Sequence, residues 1–218
     1  MLDSAIRRAG APLLEGAGRR LAALGVRAAW LTAAGWVAGV GACVAAGTGR
    51  WGLALALWLV NRALDGLDGP VARASAATDR GAFLDVVADF SVYGGFVVAV
   101  AFAEADARLA CAVLLGTYYA SGTAFLALSS LRERAGCAHA DARGLGFVGG
   151  LAEGAETVVA YVAFCLLPAD AAVIAWCFAA LVAVTALQRV VLGARLLGGP
   201  GAALAGEDPG VAARWPSP

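Results

Sequence analysis

Six apolar windows of about twenty residues each, at 28–47, 51–73, 81–103, 109–131, 146–167 and 171–193, leave this chain very few ways to fold. A helix rising 1.5 Å per residue needs about 20 residues to cross a hydrocarbon core about 30 Å thick, so each window has the length of a membrane span. The expected fold is an all-α integral membrane protein with six transmembrane helices, preceded by an N-terminal amphipathic interfacial helix. Composition agrees: 61% of the residues are hydrophobic, 15% are charged, and the mean hydropathy is +0.78, outside the range of soluble domains. The connections between windows are mostly short, so residues 28–193 read as one transmembrane domain, flanked by a segment at 1–27 and a tail at 194–218.

The formal net charge is +0, so no global basic field would draw in nucleic acid, and the position of each charge matters more than the sum. All 16 basic residues are arginine, which together with the Ala, Gly and Val content points to a GC-rich genome and a bacterium, so the membrane expected is the bacterial inner membrane. Arg7, Arg8, Arg19, Arg20 and Arg27 surround Leu13, Leu14, Leu21 and Leu24, a pattern suited to a helix lying on an anionic membrane surface. A signal peptide is the competing reading, but the apolar run that follows is longer than the core of a signal sequence. With the N-terminus inside, Arg73, Arg80, Arg132, Arg134, Arg143, Arg189, Arg195 and Arg214 also fall on the cytoplasmic side, leaving Arg50 and Arg108 outside. Both termini are therefore expected in the cytoplasm. The Gly/Pro-rich tail from Gly198 reads as disordered. Cys43, Cys111, Cys165 and Cys177 lie in apolar stretches as small hydrophobes, and no disulfide framework is expected. Cys137 and His139 share a polar loop, two ligands where a structural zinc site needs four.

Against this apolar background, "DGLDGPVARASAATDRGAFLDVVAD" at residues 65–89 carries Asp65, Asp68, Asp85 and Asp89 within or beside two spans. One charged side chain near the middle of a membrane helix costs roughly 2.5–3.5 kcal/mol, so four uncompensated acids would be strongly disfavoured. Helix rise places Asp65 and Asp68 roughly 9 and 4 Å from the cytoplasmic boundary and Asp85 and Asp89 roughly 6 and 12 Å from it, one shared layer. The i,i+3 and i,i+4 spacings put both acids of each pair on one helix face, and a short turn at 74–80 lets the two faces meet. Converging carboxylates call for cations between them, and hard oxygen ligands suit Mg2+ or Mn2+, which commonly share coordination with a substrate phosphate. An alternative is that the acids pair only with Arg62, Arg73 and Arg80 and staple the helices. Gly66, Gly69, Ala72 and Gly81 remove side-chain bulk beside the acids, so that a ligand or a neighbouring backbone has room to approach. Pro70 is expected to kink its helix, and Arg73 is placed to grip a phosphate.

The pattern D-x2-D-G-x2-A-R-x7-G-x3-D-x3-D closely resembles the signature of the CDP-alcohol phosphatidyltransferases. Seven residues separate Arg73 from Gly81 where eight is commoner in that signature. The resemblance implies a six-helix homodimeric enzyme with a site open to the cytoplasm. Its reaction would be transfer of a phosphatidyl group from CDP-diacylglycerol, or a related CDP-linked donor, to a polar alcohol, with release of CMP. It further implies that Asp65, Asp68 and Asp85 bind metal, two Mg2+ or Mn2+ ions in all, with Asp89 as a further ligand or the catalytic base. Asp68, Gly69, Ala72, Arg73 and Gly81 would hold the CDP donor. The base is assigned here to Asp89.

A second polar site lies in the fifth window, where Glu153 and Glu156 stand at i,i+3 and Gly146, Gly150 and Gly154 form a ridge for close packing. Glu156 would lie on the order of 16 Å into the bilayer, and these glutamates are candidates for the acceptor pocket. Arg27, Arg132, Arg134 and Arg189 are candidates to meet an acceptor phosphate. The rival functions are an intramembrane Mg-dependent prenyltransferase, which also uses aspartate-rich helices, and a cation transporter using the carboxylates as an ion path.

Overall fold

The structure, a computed structural model, describes residues 2–75, 77–134 and 154–197. Among these residues there is no strand. Seven α-helices follow one another: α1 (Leu2–Ala23), α2 (Ala28–Gly47), α3 (Trp51–Ala74), α4 (Asp79–Ala103), α5 (Arg108–Arg134), α6 (Gly154–Leu166) and α7 (Ala171–Leu197). Short 3-10 turns at Ala105–Ala107 and Pro168–Asp170 lead into α5 and α7.

Glycine stops the first two helices. Gly25 and Gly49 take φ of 81° and 72°, a conformation that costs a residue with a side chain but not glycine. In that conformation Val26 N–H reaches back to the carbonyl of Leu21 (3.0 Å) and Arg50 N–H to that of Ala45 (2.8 Å), so carbonyls that the helix end would strand are satisfied. The expected turn between the two acid-bearing helices is present, and Thr78 caps α4 by accepting a hydrogen bond from Gly81 N–H at 3.1 Å.

Small residues bring the helices close. On α2, Gly35, Gly39, Ala42, Ala45 and Ala46 are buried against α3 and α4. A Cβ on Gly39 would lie 2.6 Å from Val92 and 3.0 Å from the Asn61 amide, so this crossing admits no side chain there. Trp58, Phe96, Tyr161 and Phe164 fill the centre of the core, while α5 packs along α7. The outer surface is the reverse of a soluble protein's. Val37, Leu59, Val98, Phe102, Val173 and Leu187 all point outward, as lipid-facing side chains do.

Among the described residues, four segments are long and apolar enough to cross a membrane: Ala28–Gly47, Asp79–Ala103, Ala105–Leu131 and Pro168–Arg195. The two other expected spans differ for identifiable reasons. α3 has the length, 24 residues, but carries Arg62, Asp65, Asp68 and Arg73, so its composition is not that of an ordinary span. α6 contributes 13 described residues, and the start of its window, at 146–153, lies outside the described residues, as do the Cys137–His139 loop and the tail. The four described cysteines are free thiols. α3 continues through Pro70 to Ala74, and Pro70 serves as a packing surface: a Cβ on Gly18 of α1 would stand 2.4 Å from the Pro70 Cβ.

Candidate active site

α3 and α4 turn their acidic faces into one cleft, and α2 closes its side. Asp65, Asp68, Asp85 and Asp89 all line it, with Thr32, Gly35 and Trp36 of α2 opposite. Asp65, Asp68 and Asp85 each offer an oxygen within 4.8 Å of the other two. Oxygens bound at about 2.1 Å to one octahedral ion stand roughly 3.0 Å apart in cis and 4.2 Å in trans, so the trio would draw together slightly to share a single hard cation. The all-oxygen donor set fits Mg2+ or Mn2+.

Each acid has its own support. Asp68 is buried, and its Oδ2 accepts a hydrogen bond from Thr32 Oγ1 at 2.8 Å. Asp89 is gripped by Arg62, whose Nη2 donates to its Oδ1 at 2.9 Å. The same guanidinium donates from Nη1 to Asp65 Oδ2 (3.3 Å) and Tyr93 Oη (2.6 Å), and from Nε to Asn61 Oδ1 (2.8 Å). It lies over the rings of Trp58 and Tyr93, at 4.8 and 5.0 Å from their centroids. Asn61 in turn donates to the carbonyl of Gly35 (2.8 Å), and Trp36 Nε1 to Ser91 Oγ (2.9 Å), tying α2 to both acid-bearing helices.

The small residues beside the acids divide by environment. A Cβ on Gly66 would meet nothing within 4 Å, so one side of α3 is open there. Gly69 has only Arg73 Nη1 in that range, at 3.3 Å, and Ala72 is half-buried. Gly81 belongs to the capped first turn of α4. The exposed side chain of Arg73 donates from Nε (3.1 Å) and Nη2 to Oε1 of Glu15 on α1. Stapling by arginine is thus realised for Arg62 with Asp65 and Asp89, whereas Arg73 turns to a different helix.

Glu156 stands half-buried in the first turn of α6 and is not among the residues lining the acid cleft, and Glu153 lies outside the described residues. Arg189 donates from Nη1 to Ser121 Oγ (2.8 Å) and lies over the Phe125 ring. The side chains of Arg132 and Arg134 lie outside the described residues. The supporting contacts of Thr32, Tyr93 and Glu15 had no signal in the acid motif. The one readable hint was Arg62 three residues before Asp65, a spacing that allows a same-face ion pair.

A helical membrane protein whose two acid-bearing helices gather carboxylates around one cleft is matched over residues 26–192 by the model of the CDP-alcohol phosphatidyltransferases, and the chain belongs to that family. It is accordingly a transferase of phospholipid synthesis that moves a phosphatidyl group from a CDP-linked donor to an alcohol, which displaces the prenyltransferase and cation-transporter readings. The chain is 38% identical over 199 residues to the inner membrane protein YnjF of Escherichia coli strain K12, an alignment covering 87% of this chain and 94% of that one. Its fold is similar to that of the phosphatidylinositol phosphate synthase PgsA1 of Mycobacterium tuberculosis. With CDP-DAG bound, that enzyme aligns with a TM-score of 0.64 at 22% identity, covering 88% of this chain and 97% of the other. Its complex with manganese and citrate gives the same score and identity over 87% and 91%.

Proposed function

We propose that the cleft between α2, α3 and α4 transfers the phosphatidyl group of CDP-diacylglycerol to a small polar alcohol, and that it does so at the cytoplasmic face. The observation that carries this reading is the meeting of three carboxylates within 4.8 Å in a cleft of an otherwise apolar bundle. Asp65, Asp68 and Asp85 hold divalent metal, Mg2+ or Mn2+, with Asp89 on the edge of a site for two ions. When bound, the metal neutralises charge on the diphosphate and on departing CMP. Gly69, Ala72, Arg73 and Gly81, together with Asp68, receive the CDP part, and the open side of Gly66 gives the diphosphate a path to the acids. Arg73 exchanges the Glu15 carboxylate for a phosphate oxygen as the donor enters.

Asp89 is the base. It takes the proton of the acceptor hydroxyl while that oxygen bonds to the lipid-side phosphorus and the bond from that phosphorus to the CMP oxygen breaks. Glu153 and Glu156 belong to the acceptor side. The chain spans the membrane six times, α3 and the full fifth window included, with both termini cytoplasmic, α1 along the inner surface and the working unit a homodimer. Purified protein given Mg2+, CDP-diacylglycerol and a panel of alcohols should release CMP with at least one of them, and Asp89→Asn should abolish release. Full turnover in Asp89→Asn would remove that residue from the base role.

A further inference from the structure

We infer that Arg62 is the positioning residue for Asp89: its guanidinium, which also touches Asp65, grips the fourth acid at 2.9 Å and fixes its orientation beside the three that converge. This rests on the reading of Asp89 as base. Two observations carry it.

The first is the division of the acids. Asp65, Asp68 and Asp85 meet within 4.8 Å, while Asp89, one helical turn beyond Asp85, has its Oδ1 on Arg62 at 2.9 Å. An acid drawn wholly into the metal set is poorly placed to accept a proton from the acceptor, so something must hold it back. Arg62 does so with a contact to one oxygen, leaving the other carboxylate oxygen outside this ion pair.

The second is that Arg62 is itself held on every side. Its side chain is only 11% exposed. Nε, Nη1 and Nη2 each have a named acceptor, in Asn61, Tyr93 with Asp65, and Asp89, and the guanidinium plane rests on Trp58 and Tyr93. Tyr93 also receives, at its backbone carbonyl, a hydrogen bond from buried Tyr161 (2.7 Å), so the support continues into the aromatic core. A planar donor fork fixed in this way gives Asp89 one orientation, which the point charge of a lysine would not.

The test compares wild type with Arg62→Gln and Arg62→Lys in steady-state CMP release and in Mn2+ binding followed by electron paramagnetic resonance. The expected result is a kcat lowered about 100-fold in Arg62→Gln, the scale of a lost general base, with KM for donor and acceptor within about twofold. Mn2+ affinity should not fall, because the three converging acids remain and Asp65 loses a competing cation, and the kcat of Arg62→Lys should fall between the two. If Arg62→Gln does not fold, Tyr93→Phe, which keeps the arginine and removes one acceptor, should lower kcat about threefold to tenfold at unchanged KM and unchanged Mn2+ affinity. An unchanged kcat in the folded variants would overturn the inference, as would a loss of Mn2+ binding or a raised donor KM, since Arg62 would then serve the metal or the donor. Failure of the wild type to release CMP with any acceptor would sink the proposed function itself, and the inference with it.

Discussion

Asp68 illustrates how a carboxylate is kept serviceable inside an apolar bundle. It is 7% exposed, and the Thr32 hydroxyl that donates to its Oδ2 supplies part of what water would have given. A hydrogen bond to a charged group contributes about 1.5–3 kcal/mol, so Thr32→Val should lower kcat/KM for CMP release by about tenfold or more, measured as initial rates at limiting donor. Wild-type rates in that variant would show that Asp68 needs no such partner. The acids themselves were legible because charge in an apolar window demands compensation, and their spacings gave a common face. Their partners were mostly not. Asp65 lies one turn from Arg62, but Asp89 lies 27 positions away, and that contact depends on how α3 and α4 are rotated against each other, which hydropathy does not specify. Thr32 is hidden for the same reason: one hydroxyl in a long apolar run points anywhere until its helix is packed.

At the scale of elements, the helix positions follow the apolar windows closely. α2 occupies 28–47, and α3 ends at Ala74 where the predicted turn begins. What the windows did not convey is how α1 sits. The arginine and leucine pattern of α1 suits a membrane surface but names no partner; the structure sets the helix against the end of α3, with Gly18 on Pro70 and Glu15 on Arg73. The ring of Pro70 lies against Gly18. Gly18→Leu should therefore displace α1, seen as faster proteolytic cleavage within residues 2–23 in detergent or nanodiscs, while unchanged cleavage would deny the docking. The Glu15–Arg73 pair is more than a third exposed on both sides, so it adds at most about 1 kcal/mol to stability. With Arg73 proposed to grip the donor, Glu15 would compete for it, and Glu15→Gln should then lower the donor KM, by up to about fivefold, at nearly unchanged melting temperature. A raised donor KM would mean that Glu15 instead prepares Arg73 for binding.

Taken whole, the described residues form an apolar exterior, an aromatic interior and an acidic cleft, an arrangement that suits the proposed meeting of a lipid donor and a polar acceptor. The cleft lies beside the turn between α3 and α4, so that turn and the site should share the cytoplasmic side, with the turn between α2 and α3 opposite. In a cysteine-free background, an impermeant maleimide should label Ala77→Cys only from the cytoplasmic side and Arg50→Cys only from the other, and the reverse pattern would invert the topology. The proposed chemistry depends on a divalent ion held in the cleft by Asp65, Asp68 and Asp85. Its most direct test is a Mn2+ titration of the intact protein in nanodiscs with CDP-diacylglycerol present, followed by electron paramagnetic resonance. Binding should be saturable in the wild type and lost in Asp68→Asn and Asp85→Asn variants that remain folded. Undiminished binding in both variants, or none in the wild type, would contradict it.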